Sequence, residues 1–285
     1  MKQMKISALK WTFIGFLITG VILGIVSLCI YGFNFGKLYD DFSQARYYTE
    51  ETQSFDETYS KFTINTSNCD VSLKSSNDDK FHLTYWKHSE YSIITLETEG
   101  SEFLFKEREK FSFRASNFKV GKYLKIVLEV PTGFVGEMSL IEYNGDVEVN
   151  NVALEKLSIE NYNGNVKVRA VTVAELTHIK SHNGEIALTE TSGERVSVET
   201  FNGDVKILNG SYNHVIIVNY NGDNSVTQNG VAMDYRLEFV NHNGRSYLHD
   251  GTEYVRASGV HNSAVVARTV YLKTYNGNNR LKFVV

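Results

Sequence analysis

At 285 residues, with 33 acidic against 29 basic side chains and a net charge of −4, the chain can build a large core but does not suit nucleic acid as a partner. Two cysteines, Cys29 and Cys69, exclude a disulfide framework, and a single proline, Pro131, excludes a Pro-rich stalk. Aromatic residues make up 13% of the chain, mostly Tyr and Phe, which favours strands over helices.

Residues 1–10 read as a short tail carrying Lys2, Lys5 and Lys10. Trp11 to Phe33 then runs for 23 residues without a charge, long enough as a helix to span a bilayer. The lysines before it predict a cytoplasmic N-terminus, and Trp11 and Tyr31 to Phe35 suit the two interfaces. A cleaved signal peptide fits less well, because the run is too long and no small-x-small site follows it. The expected localisation is therefore the cell membrane, single-pass, with the C-terminal domain extracellular. Setting the three lysines aside leaves 26 basic against 33 acidic residues, a balance of −7 outside, which disfavours an anionic membrane surface.

Residues 34–54 are polar and mixed in charge and read as a spacer. The stretch 55–130 is rich in strand-like segments: 61–66, 70–74, 80–86, 91–96, 101–105, 111–114 and 122–130. Within it, Asn68-Cys69-Asp70-Val71 resembles a repeat corner without its glycine. A stack of coils needs its ends closed, and this β-rich region is placed to cap the N-terminal end.

From 131 to 285 an Asn-Gly pair returns: Asn144-Gly145, Asn163-Gly164, Asn183-Gly184, Asn202-Gly203, Asn221-Gly222, Asn243-Gly244 and Asn276-Gly277, with Asn262-Ser263 as a degenerate copy. The steps are 19, 20, 19, 19, 22, 19 and 14 residues. A fixed period of this size marks stacked supersecondary units. Apolar residues recur four and six positions before the asparagine (Leu140, Ile159; Met138, Leu157) and three and five after it (Val147, Val166; Val149, Val168). This alternation describes strands with one buried face on either side of a corner. Glycine accepts positive φ there, and asparagine tolerates the left-handed region. A meander of hairpins would place its turns about every 8 to 12 residues with changing flanks. One corner type per period instead predicts an all-β, parallel β-solenoid of about 19-residue coils, with like residues stacked at about 4.8 Å. The final segment, Arg280 to Val285, is expected to close the C-terminal end.

Two further columns follow by parity. Two residues before the corner stand Glu142, Asn161, Ser181, Thr200, Asn219, Asn241, Val260 and Thr274, expected to point inward and bond across coils. One residue before it stand Tyr143, Tyr162, His182, Phe201, Tyr220, His242, His261 and Tyr275, expected to face out as a ring ladder and to be the candidate ligand-facing surface.

The opening Ile64-Asn65-Thr66-Ser67-Asn68-Cys69-Asp70-Val71, the strand ending in Val130-Pro131, and the corners Asn144-Gly145-Asp146-Val147 and Asn202-Gly203-Asp204-Val205 together resemble a bacterial β-strand-repeat family labelled "putative adhesin", a domain of unknown function. The match runs from about Phe55 to the C-terminus. The resemblance implies a β-solenoid on the bacterial envelope, in some relatives linked to envelope stress, and transfers no catalytic residue. The chain departs from the pattern at Arg245, Ser246, Ser258 and Ser263, so irregular coils are expected there.

No catalytic, cofactor or metal site emerges. The residues after the turn glycines are only half acidic, too few oxygens for calcium. His242 and His261 would be a pair without a third zinc ligand. The sequence lacks a glycine-flanked serine, His-Glu-x-x-His, a phosphate loop and Cys-x-x-Cys. Outward Glu148, Lys167, Glu185 and Lys206 read as a solvated strand face. The reading is a non-enzymatic binding, adhesion or scaffold module whose partners are the membrane through its own helix and envelope glycan or another envelope protein. The alternatives are an envelope-glycan enzyme and a signalling partner of a membrane sensor.

Overall fold

The computed structural model describes residues 2–30, 47–56, 59–90, 92–109, 125–249, 254–261 and 267–285. The chain forms two compact units, Met1–Tyr48 with Ser112–Val120, and Thr49–Phe111 with Gly121–Val285. In the first, helix α1 (Lys2–Ile30) carries the apolar run. Its described side chains, 13–26 and 29, are all exposed. Thr19 Oγ1 donates to Gly15 O at 2.9 Å, so the hydroxyl is satisfied within the helix. Among the described residues no helix is long and apolar enough to cross a membrane. The expected span 11–33 ends in residues 31–33, which lie outside the described set, as do the side chains of 11, 12, 27, 28 and 30.

The second unit is all β. Its strands are β1 (Tyr48–Phe55), β2 (Lys61–Thr66), β3 (Asp70–Ser75), β4 (Phe81–His88), β5 (Ser92–Glu99), β6 (Glu102–Glu109), β7 (Lys125–Val130), β8 (Glu137–Asn144), β9 (Val147–Asn150), β10 (Ala153–Asn163) and β11 (Val166–Arg169). There follow β12 (Thr172–Asn183), β13 (Ile186–Thr189), β14 (Ser192–Asn202), β15 (Val205–Asn221), β16 (Asn224–Asn229), β17 (Tyr235–Asn243), β18 (Ser246–His249), β19 (Tyr254–Ala257), β20 (Gly259–His261), β21 (Arg268–Asn276) and β22 (Asn279–Val284). On one side of the corner β6, β2, β8, β10, β12, β14, β15, β21 and β17 pair in parallel. On the other, β7, β3, β9, β11, β13, β15, β16, β22 and β18 do the same. The long β15 serves both sides in turn. Around the corner the register is equal at each step, with Asn163 opposite Asn144 and Val166 opposite Val147, so like residues lie on like, while shifts fall away from it at Leu154–Lys156, Val173–Leu176 and Ile207–Gly210.

The apolar columns are buried as their alternation dictates. Leu140, Ile159, Ile179 and Ile217 are fully buried, as are Val147, Val166, Ile186 and Val205. Each such side chain contributes roughly 1.5–3 kcal/mol relative to exposure. Because parallel coils bury one face continuously, a one-residue slip would turn the whole set to solvent, and that fixes the register. Edges are closed by strands running the other way: β5 on β6 and β4 on β7 at one end, β19 on β18 and β20 on β17 at the other. Rings of Tyr59, Phe62, Phe81 and Phe103 pack together beside the first coils at centroid distances of 4.6–6.0 Å.

Several expectations are corrected. Residues 55–130 are not set apart from the repeats: β2 and β3 form a coil around Asn68 in register with β8 and β9. The end of the expected spacer is strand β1, whose Thr52 and Ser54 bond to Thr84 and His82 of β4. The expected strand 111–114 lies outside the described residues. Coil order is not sequence order, because β21 and β22 insert between the coils of Asn221 and Asn243. Arg280 to Val285 therefore sits inside the stack rather than closing it. The copy centred on Asn262-Ser263 (residues outside the described set) leaves the pattern before it begins. Gly259–His261 runs antiparallel to β17, so Val260 is exposed instead of inward and His261 falls opposite Leu237. Arg256 and Ser258, placed in the apolar columns by spacing, are exposed. Arg245 and Ser246, by contrast, keep full register against β22.

Candidate functional site

The corner is built by three hydrogen-bond files. First, each turn asparagine donates its Nδ2 to Oδ1 of the asparagine one coil back. The chain of amides runs Asn68, Asn144, Asn163, Asn183, Asn202, Asn221, Asn276, Asn243 without a gap, at 2.7–3.0 Å. Second, side-chain oxygens of Asp70, Asp146, Asn165, Asp204, Asp223 and Asn278 accept the backbone N–H of the matching residue in the next coil, at 2.7–3.1 Å. The turn acids thus act as acceptors for backbone groups. Among the described residues no three His, Cys, Asp or Glu side chains gather as a metal site.

Third, the turn glycines Gly145, Gly164, Gly184, Gly203, Gly222 and Gly277 donate their N–H to the asparagine carbonyl of the next coil. At Gly203, φ is +141° and an added Cβ would lie 2.0 Å from Gly184 O, so only glycine fits under the coil that precedes it. The asparagines themselves are strand residues and are not left-handed. The left-handed residues are Asn151, Ala170, Glu190 and Asn209, at φ 52–56°, seven positions further on. They make a second corner that the sequence reading did not find. Its only signal was asparagine at two of four equivalent positions.

The ring column lies where parity put it, with one exception. Tyr143, Tyr162, His182, Phe201, Tyr220, Tyr275 and His242 stack in a single file with centroids 4.5–5.0 Å apart and planes within 1–9°. Tyr275 takes its place between Tyr220 and His242 because of the inserted coil. His261 is outside the file and meets Phe239 edge-on at 5.9 Å. A zinc pair of His242 and His261 one coil apart is therefore not formed. The file also has a consequence for ligands. Sugars stack on ring faces, and here the faces are spent on one another, leaving edges toward solvent. Among the described residues the file has no further ring beyond Tyr143 at one end or beyond His242 at the other. Of the outward charges, Lys206 pairs with Glu185 at 2.7 Å.

The inward polar column is fully buried at Glu142, Asn161, Ser181, Thr200, Asn219 and Thr274. Asn161, Asn219, Asn241 and Thr274 donate to corner glycine carbonyls at 2.9–3.1 Å. Polar residues at apolar-column positions, Asn224, Ser246 and Asn279, join them: Asn224 Nδ2 bonds Asn279 Oδ1 at 2.7 Å, and Asn279 Nδ2 bonds Asn241 Oδ1 at 2.9 Å. Glu142 stands out in this column. Its Oε1 accepts the Asn144 N–H at 2.8 Å, while Oε2 has no hydrogen-bond partner among the described residues. Burial pushes its carboxyl up to about 7, against the pull of the backbone N–H groups of Asn144, Cys69, Tyr143 and Gly145. Thr66, opposite it in β2, bonds a second buried carboxylate, Glu107, at 3.1 Å.

Comparison with known proteins places this architecture. A solved "putative adhesin" from Bacteroides fragilis is similar at a TM-score of 0.50 with 16% identity, covering 83% of this chain and 97% of that one. A "putative cell adhesion protein" from Clostridium sporogenes has a TM-score of 0.40 with 10% identity, over 83% of this chain and 100% of that one. A "putative adhesin" from Parabacteroides distasonis has 0.45 with 11%, over 83% and 97%. No curated protein matches the chain. The family model described as Toastrack DUF4097 matches residues 59–240, from Tyr59 just before β2 into β17, the strand of the last corner. With well over half its length under that match, the chain belongs to the Toastrack DUF4097 family of "putative adhesin" domains.

Proposed function

We propose that this chain is a membrane-anchored, extracytoplasmic binding or scaffold module of the bacterial envelope and performs no catalysis. The observation that carries the reading is the continuity of the corner files. Eight asparagines and seven rings are locked coil to coil, which fixes a side-chain surface at regular spacing, as repeat proteins use for extended partners. The adhesin descriptions of the similar structures agree with a binding role. The anchor is supported by the uncharged run 11–33 and by Lys2, Lys5 and Lys10 before it. A link to envelope stress rests on the family resemblance.

The test has two arms. Protease added to intact cells should remove the β unit and leave the N-terminal tail protected. The full-length chain should be retained saturably by isolated envelope glycan without releasing soluble product over time. Steady product release would establish an enzyme instead. Protection of the β unit in intact cells would overturn the orientation.

A further inference from the structure

Among the described residues the stack of coils stops at Asn243, and no further coil pairs with its corner. β20 covers β17 only over Leu237–Phe239, and β19 covers β18 over Ser246–His249. Between them lies a cavity of roughly 430 Å³ over the last corner, lined by His242, Gly244, Arg245, Arg256 and Ser258 among others. This falls within the usual range for small-ligand sites, about 300–1,000 Å³.

Four groups in it lack, among the described residues, the partners that their counterparts have. His242 stacks one face on Tyr275 at 4.5 Å, and its other face has no ring beyond it among the described residues. In the coils before it, the glycine N–H from Gly145 to Gly277 donates to the next asparagine carbonyl at 2.9–3.0 Å, while Gly244 has no next coil to meet. Arg245 and Arg256 are exposed and have no carboxylate within 4.0 Å among the described residues. Arg236, Arg268 and Arg280 nearby each have one, at 3.5, 3.9 and 3.0 Å. Among the described residues the cavity therefore offers a flat ring face, a backbone donor without an acceptor and two guanidinium forks without a carboxylate. A guanidinium fork matches a carboxylate through paired N–H donors.

We propose that this end cavity binds the acidic sugar at the end of an anionic glycan. The pyranose lies against the free face of His242, as the next ring of the file would. Its carboxylate sits between Arg245 and Arg256, and the Gly244 N–H donates to a ring substituent oxygen. The inference rests on the binding-module reading and names its ligand class.

The experiment titrates full-length protein in mild detergent with an oligosaccharide ending in glucuronic acid and with the same oligosaccharide ending in glucose. Saturable binding is expected for the acid-ended sugar and at least tenfold weaker binding for the neutral one. Arg245→Gln and Arg256→Gln should each weaken binding about tenfold, Arg256→Lys should recover part of it, and His242→Tyr should bind better than His242→Ala. Circular dichroism on each variant checks that the fold is intact. No saturable binding of the acid-ended sugar, equal binding of the two sugars, or arginine variants that bind like the parent would each overturn the proposal. So would inorganic phosphate competing as well as free glucuronate, since that would make the cavity an anion pocket without ring recognition. Equal retention of parent and Arg245→Gln/Arg256→Gln protein by envelope glycan would sink this inference and leave the binding module standing. Loss of all retention by the parent would sink the module itself.

Discussion

Replacing Glu142 by glutamine should make the protein more stable, and increasingly so as pH rises. The carboxyl is fully buried, its Oε2 has no hydrogen-bond partner among the described residues, and burial lifts it from the ordinary 4.5 to about 7. The folded state thus holds this proton to higher pH than the unfolded chain does. Across the window from about 4.5 to 7 folding takes up a proton, so this group's contribution falls as pH rises. Below the window it costs nothing, and above it the ionised carboxylate carries the full penalty. At about 1.4 kcal/mol per pH unit the ceiling is about 3 kcal/mol. Glutamine keeps the volume and the acceptor for Asn144 N–H, and places an amide where the unpartnered oxygen was. Urea unfolding of the full chain, followed by far-UV circular dichroism at pH 5, 6, 7 and 8, gives the difference between variant and parent, in which the other carboxylates cancel. The expected gain is about 1 kcal/mol at pH 5 and about 3 kcal/mol at pH 8. A variant less stable than the parent at pH 8, or a difference that does not change with pH, would refute the reasoning.

Other consequences follow from the corner. Gly203→Ala forces a Cβ to 2.0 Å from Gly184 O at a φ of +141°, and should cost at least about 3 kcal/mol in denaturant unfolding. Phe201→Ala breaks ring contacts at 5.0 and 4.7 Å in mid-file; at about 0.5–1.5 kcal/mol each beyond area burial, a loss of about 2–3 kcal/mol is expected in the same assay. Glu190 holds a left-handed φ of 56° that its side chain does not favour, so Glu190→Asn should raise stability by roughly 0.5–1 kcal/mol and shift the thermal midpoint upward.

The residues that announce this fold are those whose spacing is set by the backbone alone. Asn144 to Asn221 recur every 19 or 20 residues because each coil closes on the one before, and the strand parity around them decides what is buried. The rings of Tyr143 to Tyr220 could be assigned to one file for the same reason. Spacing fails where a coil is entered from elsewhere in the chain. Steps of 22, 19 and 14 residues after Asn221 look like stretched copies, whereas the chain leaves the stack, reverses at β19 and β20, and returns to slot β21 and β22 beneath a coil already passed. Register pairs Asn276 equally well with Asn221 or Asn243, and the sequence carries nothing that ranks those partners. Asn68 lacks its glycine, and the long excursion from β4 to β7 hides that its coil adjoins Asn144. The left-handed corner at Ala170 and Glu190 uses residues with no turn preference, so it was silent. The open cavity at His242 exists only because of the coil order, and could not be read in advance.

That order also decides where the ring file and the asparagine file end, and so where a ligand can meet them. Paired cysteines test it most directly. Outward Ser225 faces Arg280 in the inserted coil, and Arg280 in turn faces Tyr247. Mild oxidation, read by mass spectrometry, should link Ser225→Cys to Arg280→Cys, since neighbouring parallel strands hold their Cα atoms near the 4.4–6.8 Å that a disulfide needs. The pair Ser225→Cys and Tyr247→Cys should stay reduced. Linkage of the second pair with none in the first would mean that the coils stack in simple sequence order, and would contradict the account.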